Sequence, residues 1–292
     1  MTSEGLLRRY GITRMVEVIT STRHPLVKKL RALHRREMRD MSGWFLVEGI
    51  RTVETALQAG APLEEIIYVP DLLEDARGQR LLALARGRDI PLVPVREHVL
   101  DVIADTKTPS GVVAVARMEK PDFRLVLGSA PTLAVADRIQ DPGNLGTIIR
   151  IADAAGIAGV VVTPGSVDPY NPKAVRASAG SLFHLPVVDL GEEEEREAAA
   201  LLQQRGVRVL VADARGERVY SEVDYSPPVA VVLGNEAAGV SSLWRSVALT
   251  TVRIPIFGKA ESLNVASAAA ILLYELARRF PPSTLPRVPM IY

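Results

Sequence analysis

Val229-Ala-Val-Val-Leu-Gly-Asn-Glu-Ala-Ala-Gly-Val240 opens with an unbroken apolar run and turns polar immediately after a glycine. A short run with no polar residue has no face to offer water. It reads as a strand covered on both sides, as in a parallel sheet. The pattern recurs at Leu133-Ala-Val-Ala136, Val160-Val-Val162, Pro186-Val-Val188, Val207–Ala212 and Val252–Ile256. Helical spacing fills the gaps; Leu145, Ile148, Ile149, Ala152 and Ala155 predict a helix from about 145. Strands alternating with helices predict an α/β domain over 132–292 with a parallel sheet. Ligands of such sheets lie beyond the carboxyl ends of the strands, which places Gly234-Asn235-Glu236 and the stretch after Ile256 at the expected site.

Residues 16–118 alternate in the same way and predict a smaller α/β domain. Its elements are a basic helix at about 25–40, a strand at 44–47, a helix at 49–59, and strands at 66–69, near 92 and at 112–115. Pro and Gly interrupt the pattern at 119–131, which reads as a linker. Residues 1–15 read as a flexible N-terminal tail, with Met15 an alternative start to Met1.

The net charge of the 292 residues is only +1, so no global field marks a polyanion partner. The distribution is uneven: Arg14 to Arg39 holds eight basic residues against Glu17 and Glu37. Within that patch Arg23, Lys28, Lys29, Arg35 and Arg36 are candidate phosphate contacts. The absence of cysteine excludes disulfides, thiolate metal sites and a cysteine nucleophile. The four histidines show no metal-ligand spacing, and no metal is expected. No apolar run approaches a membrane span and residues 1–15 have no signal-type core, so a cytoplasmic protein is expected.

The usual nucleotide signatures are missing. No two of the 21 glycines stand two residues apart, so G-x-G occurs nowhere. The single Gly-Lys, Gly258-Lys259, has no glycine at the upstream P-loop position. A dinucleotide-dependent dehydrogenase and a P-loop enzyme both lose their central residues.

Asparagine is almost absent: Asn144, Asn171, Asn235 and Asn264, each in a Gly-, Pro- or Ser-containing junction of the C-terminal half. Its short arm carries both a donor and an acceptor and suits helix caps as well as ligand loops. Four such junctions in one domain, with none elsewhere, favour a shared site.

Three ordered segments carry a family likeness: Asp141-Pro-Gly-Asn-Leu-Gly-Thr-Ile-Ile-Arg150, continuing to Gly156; Val232–Val240; and Ile254-Pro-Ile-Phe-Gly258 with Ser262-Leu-Asn-Val-Ala266. With Asn171–Gly180 they span most of 132–280, and they resemble the SpoU family of RNA ribose 2′-O-methyltransferases in the SPOUT superfamily. Residues 16–117 resemble the substrate-binding domain that often precedes this catalytic domain, with Arg23–Lys28 and Phe45–Gly49 as its cues.

The resemblance implies a deep trefoil knot, which no periodicity suggests. It implies S-adenosylmethionine bound at the knot on Leu233, Gly234 and Gly239 of one loop and Ile254, Pro255 and Leu263 of the other. It assigns Arg150 as the catalytic residue, proposed in the family to take the hydroxyl proton. A guanidinium is effectively always protonated, so a grip on the neighbouring phosphate and on developing oxyanion charge is the better chemistry. Asn144 would order the Arg150 loop or touch the ribose. Glu236 would accept a hydrogen bond from Arg150 or face the cofactor. Ser262 and Asn264 would bond the target nucleotide or the cofactor's methionine portion, and Asn264 reads equally as the N-cap of the last helix. Lys173 and Arg176 would contact RNA phosphates.

A basic domain ahead of the catalytic one favours 23S ribosomal RNA as substrate, with tRNA as the alternative. A non-catalytic RNA-binding module would be expected to lose Asn144, Arg150 or Asn264, and all are present. The last helix, 265–279, is apolar around its circumference, which predicts a homodimer with Ala269 at the shared interface.

Overall fold

A computed structural model describes residues 17–128 and 132–281. The expected tail at 1–15, both candidate starts and Arg14 of the basic patch lie outside the described residues.

The N-terminal unit is built on β1 (Trp44–Glu48), β2 (Leu63–Tyr68), β3 (Leu92–Pro94) and β4 (Val112–Arg117) in the order β1-β4-β2-β3. Strand β4 runs antiparallel to both of its neighbours, and β3 is parallel to β2. The single basic helix expected at 25–40 is two helices, Pro25–Ala32 and Arg36–Ser42. The break has a local cause. Arg39 Nη1 donates to the Leu33 and His34 carbonyls at 2.8 and 2.9 Å, satisfying oxygens that a continuous helix would have used internally.

The C-terminal unit is a seven-stranded parallel sheet. Its strands are β5 (Thr132–Asp137), β6 (Gly159–Val162), β7 (Val187–Asp189), β8 (Arg208–Ala212), β9 (Arg218–Val219), β10 (Val229–Gly234) and β11 (Thr250–Arg253). Their order is β7-β6-β5-β10-β8-β11-β9, with every pair parallel. The run that opened the sequence analysis is β10, buried from Val229 to Leu233 and registered so that Gly234 lies beside Asp137. Strand β11 ends at Arg253 rather than Ile256, because Pro255 has no N–H to give a ladder. The two-residue β9 has no apolar run to announce it and was not expected.

The helix expected from about 145 starts at Pro142, three residues earlier. Asp141 caps it by accepting the Asn144 amide at 2.9 Å, and Pro142 occupies the first turn, where a missing N–H is harmless. Part of the segment read as linker is structured: Phe123–Leu127 is helical and buries Phe123, Val126 and Leu127 with Leu133, Val135 and Val161. One apolar cluster joins the two sheets, running from Phe45 and Val53 through Tyr170 and Phe183 to Leu145, Ile149 and Leu272.

The last helix, Val265–Arg279, corrects the expectation for Ala269. That residue is fully buried, together with Val265, Ala266, Leu272, Leu273 and Leu276, by its own chain against the Pro142–Ala154 helix and β10. It therefore cannot be a contact with a second copy. Ser267 and Tyr274 lie on the exposed face.

Candidate active site

Beyond the carboxyl ends of β8, β10 and β11 lies a cleft of about 400 Å³. Residues 233–239 form one wall, and Ile254, Ile256, Ser262 and Leu263 form another. The volume lies within the roughly 300–1,000 Å³ of small-molecule sites. Of the expected cofactor contacts, Leu233, Gly234, Gly239, Ile254 and Leu263 line the cleft, and Pro255 is not among the lining residues.

Gly234 is required by its own chain. A Cβ there would lie 2.5 Å from the Val240 amide nitrogen and 2.6 Å from the Gly239 carbonyl carbon, so the loop folds back directly over the end of β10. Gly239 completes that fold with φ +69°, donating to the Asn235 carbonyl at 2.9 Å. The Asn235 side chain holds the turn, accepting from the Ala237 and Ala238 amides at 2.9 Å each and donating to the Arg138 carbonyl at 3.1 Å.

Asn264, Asn144 and Glu236 meet at one end of this arrangement. Asn264 Oδ1 caps the last helix, accepting from Ala266 at 2.9 Å, while its Nδ2 donates to Asn144 Oδ1 at 3.0 Å. Asn144 Nδ2 in turn donates to Glu236. Asn264 is therefore the N-cap of the last helix at one end of its amide and is tied to Asn144 at the other. Asn171 is also a cap, accepting from Lys173 N at 2.9 Å. Asn144 and Asn235 are not caps; Asp141 fills that role for the first and a turn occupies the second. Glu236, expected to accept from Arg150 or to face the cofactor, accepts from Asn144 and lines the cleft.

Arg150 stands on the same helix as Asn144, six residues and roughly 9 Å further along. It is exposed and has no hydrogen-bond or ion-pair partner among the described residues. Asp153, the neighbour that could have engaged it on the helix surface, pairs with His184 at 3.0 Å. The expected phosphate contacts divide. The exposed side chains of Arg23, Lys28 and Arg35 carry no ion pair among the described residues, and Lys29 lies 3.7 Å over the Trp44 ring. Arg36, Lys173 and Arg176 are already engaged. Arg36 meets Asp189 at 3.0 Å, Lys173 meets Asp141 at 2.8 Å, and Arg176 meets Asp105 at 2.7 Å and Glu48 at 3.5 Å. The Lys173 ammonium and the Asn144 amide hold the Asp141 carboxyl below the ordinary carboxylate range.

Sequence reasoning missed Asp137, Asp213 and Arg245. Fully buried Asp137 accepts from Ser241 N at 2.6 Å and from Thr163 Oγ1 at 3.0 Å, fastening β5 to the chain just past the glycine loop. Asp213 and Arg245 line the cleft and pair at 2.7 Å. Burial pushes the Asp213 carboxyl up, but the Arg245 bond and the Arg215 amide outweigh it and keep it low. An aspartate closing a buried strand was the one available signal, since Asp137 ends an otherwise apolar run.

With that pair mutually neutralised, Arg215 and Glu236 are the other charges lining the cleft, one of each sign, so it offers apolar walls and close backbone rather than a cationic cradle. It fits a flat, weakly charged nucleoside-like group such as that of S-adenosylmethionine better than a polyphosphate. Among the described residues no group of His, Asp or Glu could hold a metal, and no helix is long and apolar enough to cross a membrane.

Residues 131–274 match the model of the SpoU rRNA methylase family, and residues 24–114 match that of the MRM3-like substrate binding domain. The 23S rRNA (guanosine(2553)-2′-O)-methyltransferase RlmP of Bacillus subtilis (strain 168) is 35% identical over 263 residues, covering 88% of this chain and 98% of that protein. The 23S rRNA (uridine(2479)-2′-O)-methyltransferase of Streptomyces viridochromogenes is 35% identical over 251 residues, 85% of this chain and 87% of its own length. Among solved structures, the SpoU methyltransferase AviRb from Streptomyces viridochromogenes in complex with AdoMet superposes with a TM-score of 0.80 at 32% identity, covering 88% of this chain and 98% of that one. Likeness of this extent, over both units, places the chain in the SpoU methylase family.

Proposed function

We propose that this chain transfers the methyl group of S-adenosylmethionine to a ribose 2′-hydroxyl of 23S ribosomal RNA, in the cytoplasm. The carrying observation is the bonded row Asn264–Asn144–Glu236 beside the cleft, on the helix that also presents the unpartnered Arg150. Leu233, Gly234, Gly239, Ile254 and Leu263 would hold the cofactor, which supplies an electrophilic methyl on a sulfonium. The remaining requirement is to place a ribose oxygen and steady its charge, and positioning is a large part of such a rate. Asn144, tied at both ends of its amide, fixes the start of the Arg150 helix. Arg150, whose side chain has no partner among the described residues, is available to a phosphate or to the developing oxyanion. Ser262, exposed on the cleft wall, is placed to bond the incoming nucleotide or the cofactor.

The unit at 16–118 serves as the RNA-holding domain, with Arg23, Lys28 and Arg35 as its phosphate contacts. The Bacillus and Streptomyces relatives are named for a guanosine and a uridine, so the base itself is left to contacts outside this shared machinery. The reading includes a trefoil knot at the cleft; in its support, β10 lies between β5 and β8, and residues from two loops wall one cleft. It also includes a homodimer, supported by the half-exposed Tyr274 and by Ser267 on the same exposed face of the last helix. Tyr274→Arg should yield monomers by light scattering; an unchanged mass would remove that helix from the interface. The enzymatic reading is tested by incubating the chain with labelled S-adenosylmethionine and total RNA and mapping ribose methylation. Label confined to one 23S position is expected; no label in any RNA would overturn it.

A further inference from the structure

The segment Asp168-Pro-Tyr-Asn-Pro-Lys173 is not accounted for by cofactor or RNA chemistry, yet it is densely bonded in both directions. Toward the N-terminal domain, Asp168 Oδ2 accepts from Arg39 Nε at 2.9 Å and also from Arg39 Nη2. Arg39 is 2% exposed and Asp168 4% exposed, so this fork is sealed from water. Asp168 Oδ1 accepts the Tyr170 amide at 2.7 Å. The Tyr170 hydroxyl donates to the Glu119 carbonyl at 2.6 Å and accepts its amide at 3.1 Å, and the ring packs 4.7 Å from that of Phe45. Toward the catalytic helix, Lys173 bonds Asp141, the residue that caps the helix of Asn144 and Arg150. Gly146 of that helix lies so close to Ala174 and Ala177 that a side chain has no room.

We infer that residues 168–173 form a strap fixing the RNA-holding domain to the helix of Asn144 and Arg150, with Arg39 and Asp168 as its positioning residues. The inference rests on the methyltransferase reading and deepens it. Arg39 belongs by sequence to the basic patch, but its charge is spent inside the molecule. Its neighbours Arg23, Lys28 and Arg35 stay outside to meet phosphate. The apolar contacts of Phe45, Tyr170 and Phe183 already hold the domains together. A sealed ion pair adds little net stability over apolar groups of equal size. Two guanidinium N–H groups on one carboxylate oxygen, with the Tyr170 amide on the other, add a fixed distance and angle. RNA held on the N-terminal helices is thereby presented to Arg150 in one register, and small misplacements of a reacting group cost rate steeply.

The test uses the full chain, transcribed 23S rRNA and labelled S-adenosylmethionine. Arg39→Met and Asp168→Asn should each lower kcat/KM for RNA by about tenfold or more, with cofactor affinity by calorimetry within about twofold. Because the two residues act as one device, the double variant Arg39→Met/Asp168→Leu should fall no further than the singles. Mapping should show label spreading to riboses beside the normal target. Folded variants with wild-type kcat/KM and a single labelled ribose would overturn the inference. So would cofactor affinity that falls in step with turnover, or a double variant that does not fold, because the pair would then only support the fold. A wild-type chain that labels no RNA would remove the methyltransferase reading instead. The strap would then be read from RNA footprints, which must loosen in the single variants if it is correct.

Discussion

The basic segment at 25–42 and the cleft walled by 233–263 use charge in opposite ways. The first is rich in cations, and the fold withdraws several of them: Arg39 is buried on Asp168, Arg36 meets Asp189, and Lys29 sits over Trp44. The second has its charges balanced, Asp213 paired with Arg245 and Glu236 offsetting Arg215, yet the helix beside it presents Arg150 with no side-chain partner among the described residues. Availability, and not abundance, separates a functional cation from a structural one. A guanidinium already holding a carboxylate has its charge offset and fewer N–H groups left to give a phosphate.

The sharpest way to break this contrast is at Arg150. Its replacement by Ala should lower methyl incorporation by about 10²–10³-fold while leaving cofactor affinity nearly intact, since one charge-stabilising donor is worth that much. Arg150→Lys should recover little, because an ammonium lacks the planar two-point grip. Full turnover by the Lys variant would show that charge alone matters there.

Gly234→Val probes the other side of the cleft. The new side chain strikes the backbone of Gly239 and Val240, so cofactor binding should weaken together with stability, the latter by about 1–3 kcal/mol. A thermally unaffected variant with lost affinity would mean that the glycine is needed by the ligand and not by the loop.

A subtler pair separates the two ends of Asn264. Asn264→Ala removes cap and tether together and should cost ~1 kcal/mol of stability. Asn264→Asp keeps the oxygen that accepts from Ala266 but loses the amide given to Asn144, so turnover should drop severalfold at nearly constant melting temperature. Equal turnover in Asn264→Asp and the wild type would detach Asn144 from the active arrangement.

The smallest effect concerns Asp189, whose carboxyl is pushed up to about 6 by burial, with Arg36 opposing. An unfolded aspartate titrates near ~3.9. Between about 4 and 6 the native state thus holds the extra proton, and stability is lost as pH rises through that window. Asp189→Asn should relieve the loss by roughly 1 kcal/mol above pH ~6, after discounting for the side chain's partial exposure, and by almost nothing below pH ~4. Melting curves that differ by the same amount at both ends would show that this carboxyl ionises normally.

The parallel sheet was legible in the chain because apolar runs such as Val229–Leu233 and Leu133–Ala136 can be buried only between two layers of helix. The junctions Gly234-Asn235-Glu236 and Ser262-Leu263-Asn264 were legible because they break those runs where a ligand is expected. Strand ends were less so: Pro255 shortens β11, and Asp141 starts its helix three residues early, through single local bonds that periodicity does not register. Partners were not legible at all. Nothing local distinguishes Arg39 from Arg35, one sealed against a carboxylate 129 residues away and the other open to solvent. Nor does the alanine row of the last helix say whether its own chain or another covers Ala269. Side-chain patterning depends on neighbours a few residues apart and survives in the sequence. Which charge meets which across the fold depends on how separate elements pack, and only the assembled tertiary structure decides it.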